Sequence, residues 1–143
     1  MPQAEYHPNV ILNKVPSQTN DTDILSYLQS NEVNWKHINA IKDLTNVNDD
    51  VISDWLNISV RTFREYRKRE SVFKENVKEH VVLLITILKH GIKVFGSSEA
   101  FDSWLIVSNF YFGNRTPQSF LNTITGIKFV DDRLTAMEHG DNV

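Results

Sequence analysis

From Thr22 onward, apart from a linker at residues 108–115, apolar residues recur at steps of three and four, which is the spacing of amphipathic α-helices. The most regular run extends from about Ser71 to Phe95, and Gly96 follows at a position where a helix end favours glycine. No stretch after residue 20 shows the alternation of a β-strand, and no internal repeat is visible. The pattern therefore predicts an all-α fold.

Residues 1–20 differ from the rest because they mix Pro, Asn, Ser and Thr with one short apolar stretch, residues 10–12. We expect them to form an N-terminal arm that is partly disordered or docks on a partner subunit. Residues 21–70 are predicted to form a helix-turn-helix domain, and residues 71–143 a second helical domain. The long helix at residues 71–95 then joins the two.

The segment at residues 51–66 has the order of elements that a helix-turn-helix requires. Asn57 tolerates the left-handed conformation that turns the chain after the first helix. Ser59 is a favourable N-cap for the second helix. Phe63 and Tyr66 on the second helix are expected to pack against the first one.

A helical wheel places Arg61, Arg64 and Lys68 on one stripe of the second helix, opposite its aromatic face. A recognition helix needs this division, because its exposed residues enter the major groove while its apolar face fixes its angle. Arg61 is suited to a bidentate contact with guanine, and Glu65 to accepting a hydrogen bond from cytosine. The predicted DNA-binding residues are Ser59, Arg61, Thr62, Arg64, Glu65 and Lys68. The alternative is a solvated basic helix end that only complements its own macrodipole.

The composition narrows the compartment and the class of partner. The chain of 143 residues is 41% apolar and has no cysteine, which excludes disulfides and thiolate metal sites and favours the reducing cytoplasm. The first ten residues lack the basic and apolar regions of a signal peptide, and the longest apolar run, Val81–Leu88, is too short to span a membrane. The net charge of −3 argues against general nucleic-acid affinity, so DNA binding would depend on the basic segment Arg61–Arg69.

The sequence contains no residue pattern of a catalytic, metal or cofactor site. The five histidines have no ligand spacing, and His80 and His90 are expected to be helix-surface or partly buried residues. The five glycines are scattered at predicted helix ends and form no phosphate-binding loop. The adjacent carboxylates Asp131 and Asp132 diverge by about 100° on a helix, so they are interpreted as solvated. We therefore expect no enzyme activity, no metal and no cofactor.

An ordered set of motifs extends over residues 83–140. It consists of LLITILKHGIKVFGSSEAFDSWL (residues 83–105), Asn109, FGNRTP (residues 112–117), residues 120–123, Gly126, Val130 and the ending LTAMEHG (residues 134–140). This set resembles the toxin-binding domain of the Xre/MbcA/ParS antitoxin family, which places a helix-turn-helix in front of it, as this chain does. Asn114 stands where a second glycine is usual, and we expect it to keep the left-handed turn.

The resemblance implies a function and a partner. Family members with a helix-turn-helix pair with a toxin of the RES fold, which uses NAD, and the complex represses its own operon. The antitoxin covers the entrance of the toxin's active site, and its C-terminal end contributes. By this analogy the toxin-binding residues are Glu138, His139, Gly140, Asp141, Asn142, Val143 and, on the expected exposed side of the last helix, Arg133.

A homodimer is expected, because operators that a helix-turn-helix recognises are usually paired half-sites one helical turn apart. The alternative function is a stand-alone transcriptional regulator, which would share the DNA-binding helix and have no toxin partner.

Overall fold

The computed structural model describes residues 8–69 and 72–140, and within them it contains α-helices and two short 3-10 turns but no β-strand. The helices are α1 (Pro8–Lys14), α2 (Asp21–Ser30), α3 (Trp35–Leu44), α4 (Asp49–Trp55), α5 (Val60–Arg69), α6 (Glu75–Phe95), α7 (Ser98–Leu105) and α8 (Ile124–Glu138). The 3-10 turns, Phe110–Phe112 and Pro117–Phe120, lie between α7 and α8. The predicted all-α fold is therefore confirmed.

Short polar side chains begin several of these helices by accepting a hydrogen bond from a backbone N–H that has no partner inside the helix. Asn48 caps α4, Ser97 caps α7 and Thr123 caps α8 in this way. Asn34 caps α3 within a capping box that His37 completes. The start of each of these helices is therefore determined by a capping residue that directly precedes the helix in the sequence.

The long helix α6 is the centre of the fold and contacts α2, α3, α7 and α8. All residues of the apolar run Val81–Leu88 are buried, and Thr86 satisfies its hydroxyl by donating to the backbone oxygen of Val82 at 3.0 Å. The helix begins at Glu75 rather than near Ser71. Among the described helices, none is long and apolar enough by itself to cross a membrane, although α6 and α7 reach that length and composition when taken together across their 107° bend.

Gly91 lies inside α6 and not at a helix end, which corrects the expectation for the glycines. A Cβ atom at this position would lie 2.3 Å from the ring of Phe101, which is fully buried on α7. The missing side chain therefore lets α7 pack directly against the backbone of α6.

Part of the predicted N-terminal arm packs on the core of its own chain. Val15, just after α1, is 1% exposed. The ammonium of Lys89 on α6 donates to the carbonyl oxygens of Leu12 and Val15, so it satisfies backbone acceptors at the end of α1. Burial lowers the pKa of Lys89.

Candidate functional site

The turn between α4 and α5 has the geometry expected for a helix-turn-helix. Asn57 adopts the left-handed conformation with φ of 57°, as its residue type predicted. The backbone N–H of Ile58 donates to the carbonyl of Ser53 at 3.0 Å, which closes the turn. Ser59 Oγ accepts from the backbone N–H of Thr62 at 3.0 Å, so Ser59 caps α5.

Aromatic packing fixes the inner face of α5. Phe63 is 1% exposed and lies edge-on to Trp35 of α3, with ring centroids 5.0 Å apart. Tyr66 makes a similar contact with Phe73, with centroids 4.8 Å apart. These contacts hold α5 at a fixed angle to the rest of the protein, as a recognition helix requires.

The outer face of α5 is exposed and basic. Arg61, Arg64 and Lys68 are all exposed, and none of them forms an ion pair with another described residue. Ser59, Thr62 and Glu65 are exposed as well. All six predicted DNA-binding residues are therefore exposed, and Arg61, Arg64 and Lys68 share one stripe of the second helix. Whether they contact DNA stays a prediction.

Asp49 is a positioning residue that the sequence analysis did not identify. Its carboxylate pairs with Lys42 of α3 at 2.7 Å and with Arg67 of α5 at 3.3 Å. Each pair is partly exposed and contributes little stability by itself. Together they join the first helix of the motif to the second, and they turn Arg67 away from the outer stripe.

A tightly hydrogen-bonded loop lies between α7 and α8. The side chain of Asn109 accepts from the backbone N–H of Tyr111 at 2.9 Å, and the N–H of Asn109 donates to the carbonyl of Arg115 at 3.0 Å. Gly113 and Asn114 both have positive φ, 65° and 63°. The expectation that Asn114 keeps the left-handed turn is confirmed.

A threonine followed by a proline favours the start of an α-helix, but here the two residues begin the second 3-10 turn, Pro117–Phe120. Pro117 occupies the first position of this turn, and Thr116 provides no side-chain cap. Gly126 lets the first turn of α8 pack closely against the end of this 3-10 turn. A Cβ atom at residue 126 would lie 1.8 Å from the carbonyl oxygen of Phe120.

An exposed apolar patch surrounds this loop, and the sequence analysis did not detect it. It consists of Ile106, Val107, Phe110, Tyr111 and Phe129, which are 60%, 61%, 87%, 54% and 44% exposed. The one signal in the sequence is the run Phe110–Phe112 in a segment without helical spacing. The spacing of apolar residues alone classifies such a segment as a loop between two helices.

Arg133 is buried, so the expectation that it lies on the exposed side of the last helix is wrong. It is only 6% exposed, and its guanidinium carbon lies 3.6 Å from the ring centroid of Tyr111. A planar cation stacks favourably on an aromatic face, and this attraction holds Arg133 against the loop. Arg133 therefore borders the apolar patch from beneath and supports Tyr111.

His90 of α6 and two carboxylates of α8 form a buried network. His90 Nδ1 lies 2.6 Å from Asp131, and its Nε2 lies 2.5 Å from Glu138. Asp131 also accepts from the hydroxyl of Thr19 at 3.0 Å. Asp131 and His90 are each 6% exposed, so the interpretation of Asp131 as solvated is wrong. The reason is tertiary: α8 packs on α6 through the face that contains residue 131.

The charges in this network shift two pKa values. Burial alone would lower the pKa of His90, but its hydrogen bonds to Asp131 and Glu138 and their negative charges outweigh burial, so the pKa is raised. The hydrogen bond from His90 lowers the pKa of Glu138. Lys93 adds a weaker contact to Glu138 at 3.5 Å. The last turn of α8 is thereby attached to α6 by charge.

Three of the predicted toxin-binding residues lie at the exposed end of α8. Glu138 keeps 29% of its side chain exposed, while His139 and Gly140 are exposed beyond it. Asp141, Asn142 and Val143 lie outside the described residues.

His80 is also buried, contrary to expectation, and its Nε2 bonds to the carbonyl oxygen of Leu121 at 2.9 Å. Burial lowers the pKa of His80. Among residues 8–69 and 72–140, no group of three or more His, Asp or Glu side chains has a geometry that could hold a metal ion.

The described part of the chain is helical and has two exposed surfaces of different chemistry. One is the basic helix α5, and the other, later in the sequence, is the apolar patch. These are features of a binding protein. Residues 90–140, just over a third of the chain, match the family model of the antitoxin Xre/MbcA/ParS C-terminal toxin-binding domain. No curated protein matches the chain. The matched segment contains both the apolar patch and the His90 network. The match supports an antitoxin role in a toxin–antitoxin system, with a toxin as the binding partner.

Proposed function

We propose that this chain neutralises a RES-fold, NAD-using toxin by covering its active site, and that it binds operator DNA to repress its own operon. The observation that carries the proposal is the match of residues 90–140 to a toxin-binding antitoxin domain. The geometry of α4, α5 and the turn between them, in front of this segment, supports the DNA-binding half. The chain itself acts by binding in the cytoplasm, without catalysis or a cofactor.

The basic stripe of α5 supports DNA binding. Arg61, Arg64 and Lys68 are exposed on a helix whose opposite face is fixed by Phe63. Arginines near the start of such a helix reach base edges, and the cations further along neutralise phosphates. A homodimer would present two such helices to paired half-sites of one operator.

The end of α8 supports the active-site part of the proposal. His90 and Lys93 hold Glu138 against α6, so the last turn of α8 has a fixed position. Asp141, three residues after Glu138, adds negative charge to this end of the sequence. An anionic end is suited to a pocket that binds the phosphates of a dinucleotide.

Co-expression tests the proposal. The protein encoded by the gene adjacent to this one should arrest growth when induced alone, and induction of this chain with it should restore growth. Deletion of residues 141–143 should abolish rescue, while the R61A/R64A double variant should still rescue but lose operator binding. Growth arrest that persists with the wild-type chain present would contradict the antitoxin function and favour the stand-alone regulator.

A further inference from the structure

The apolar patch is the largest group of exposed hydrophobic side chains in the described part of the chain. The other exposed large hydrophobics, Val10, Leu25 and Val72, lie one by one on different segments. Single exposed aliphatic residues are normal on protein surfaces, whereas a group of aromatic and branched side chains usually marks an interaction site.

Phe110 is the most exposed residue of the patch, at 87%, and lies on a loop whose backbone is held by hydrogen bonds. The N–H of Gly113 donates to the carbonyl of Phe110 at 3.0 Å, and the N–H of Asn114 donates to the carbonyl of Asn109 at 3.0 Å. With the Asn109 side chain capping the turn, the backbone on both sides of Phe110 is fixed. An exposed aromatic ring on a fixed backbone has few torsions left to lose on binding and is a typical interface anchor.

Buried aromatic rings support the patch from below. Phe112 is 2% exposed and contacts Trp104 and Phe129 edge-on, with centroids 5.7 Å and 5.5 Å away. Phe129 also stacks on Phe120 at 5.5 Å. Phe129 of the patch therefore belongs to a packed aromatic cluster, which fixes this side of the patch before any partner binds.

A positive charge, that of Arg115, lies at the edge of the patch. Arg115 is exposed, stacks on Phe120 at 4.5 Å and forms no ion pair with another described residue. A partner that covers the patch would thus gain from a carboxylate placed near Arg115.

We propose that the apolar patch, with Phe110 as its anchor, is the surface on which the toxin docks, through an apolar pocket with a carboxylate beside it. This inference rests on the proposed function and adds a second contact to the C-terminal end of the chain. Two observations favour the toxin over a second copy of this chain. The patch lies entirely inside the segment matched to a toxin-binding domain. The charge of Arg115 at the edge of the patch also fits a partner that carries a carboxylate there.

The test uses the full chain and the purified protein encoded by the adjacent gene. Equilibrium dissociation constants are measured by calorimetry for the wild type, Phe110→Ala, Phe110→Asp and Val107→Asp. Leu25→Asp is the matched control, because Leu25 is 56% exposed on α2, outside the patch. Circular dichroism and light scattering report the fold and oligomeric state of each variant.

We expect Phe110→Ala to weaken binding at least tenfold and both aspartate variants to weaken it about 100-fold, as loss of an interface anchor does. Leu25→Asp should bind like the wild type. Wild-type affinity in the Phe110 variants would overturn the inference and leave the proposed function intact. A change in oligomeric state without a change in toxin affinity would overturn it in favour of a second copy. If the wild-type chain itself does not bind, the proposed function fails, and this inference fails with it.

Discussion

His90 Nε2 lies 2.5 Å from a carboxylate oxygen of Glu138, so the middle of the chain is joined to the last turn of its final helix. The same ring contacts Asp131 at 2.6 Å. Because the imidazole is buried, its positive charge depends on these two carboxylates, and they in turn depend on it. This network fixes the last turn of α8 against α6.

Replacement of His90 by Gln should lower the free energy of unfolding by about 2–4 kcal/mol at pH 6, because Asp131 would remain buried without its cation. The raised pKa of His90 makes its contribution complete below the ordinary value near 6.5 and lost as the pH rises through the raised pKa. The lowered pKa of Glu138 makes its contribution present above about 4.5 and lost as the pH falls. The difference between wild type and variant should therefore be greatest between about pH 4.5 and 6.5.

Urea denaturation at pH 5.5, 7 and 8.5 measures this difference. Glu138→Gln is the control and should cost less, because 29% of the Glu138 side chain remains in solvent. A difference between wild type and His90→Gln that stays constant over this range would show that the charge of His90 does not contribute.

His37 should change the stability of the fold with pH in the opposite direction to His90. Burial lowers its pKa to about 4, and its Nε2 lies 2.7 Å from the hydroxyl of Tyr27. Since the folded pKa lies below the unfolded one, the stability from neutral His37 is complete above about pH 6.5 and is lost as the pH falls towards 4. This loss should reach about 3 kcal/mol. The NMR titration of the His37 ring should show a neutral imidazole at pH 5, and a midpoint near 6.5 would contradict the prediction.

Replacement of Arg61 and Arg64 by Ala should weaken binding to the DNA upstream of this gene by 30-fold or more, because it removes the two cations that we propose face the major groove. Each lost phosphate contact should also reduce the log–log salt slope by about 0.9. Titration of fluorescent DNA at several salt concentrations measures both quantities. Lys36→Ala with Lys74→Ala removes the same charge from exposed positions outside α5 and should leave the slope unchanged. If both double variants lost the same DNA affinity, the chain would bind DNA only through non-specific charge attraction.

Gly126→Ala should lower the free energy of unfolding by about 3 kcal/mol, because the new methyl group would displace the first turn of α8 from the carbonyl of Phe120. Thermal unfolding compares this variant with Thr125→Ala, at the neighbouring exposed position of the same turn. Wild-type stability in Gly126→Ala would show that the loop before α8 moves away without cost.

Local chemistry explains which features could be predicted from the sequence. The left-handed turns at Asn57 and Asn114 and the cap at Ser59 depend on neighbouring backbone groups, so the residue type was sufficient. The apolar spacing on α6 and α8 likewise located the core. Each of these features is fixed by residues within one or two helical turns.

Contacts between distant segments explain the errors. Asp131 is buried because His90, 41 residues away, is opposite it, and Arg133 is buried because Tyr111 lies over its guanidinium. Helical periodicity assigned both charged residues to solvent, since it cannot identify a partner on another element. The exposure of Phe110 was not predicted, because hydropathy places an aromatic side chain in the core. Here the hydrogen-bonded loop holds the ring of Phe110 in solvent instead.

The most direct test of the proposed neutralisation is a titration of the protein encoded by the adjacent gene, as the proposed toxin, with the purified wild-type chain while NAD consumption is followed. We expect the rate to fall linearly to the background at a fixed molar ratio of the two proteins. Undiminished NAD consumption in the presence of a large excess of the folded chain would contradict the proposed neutralisation.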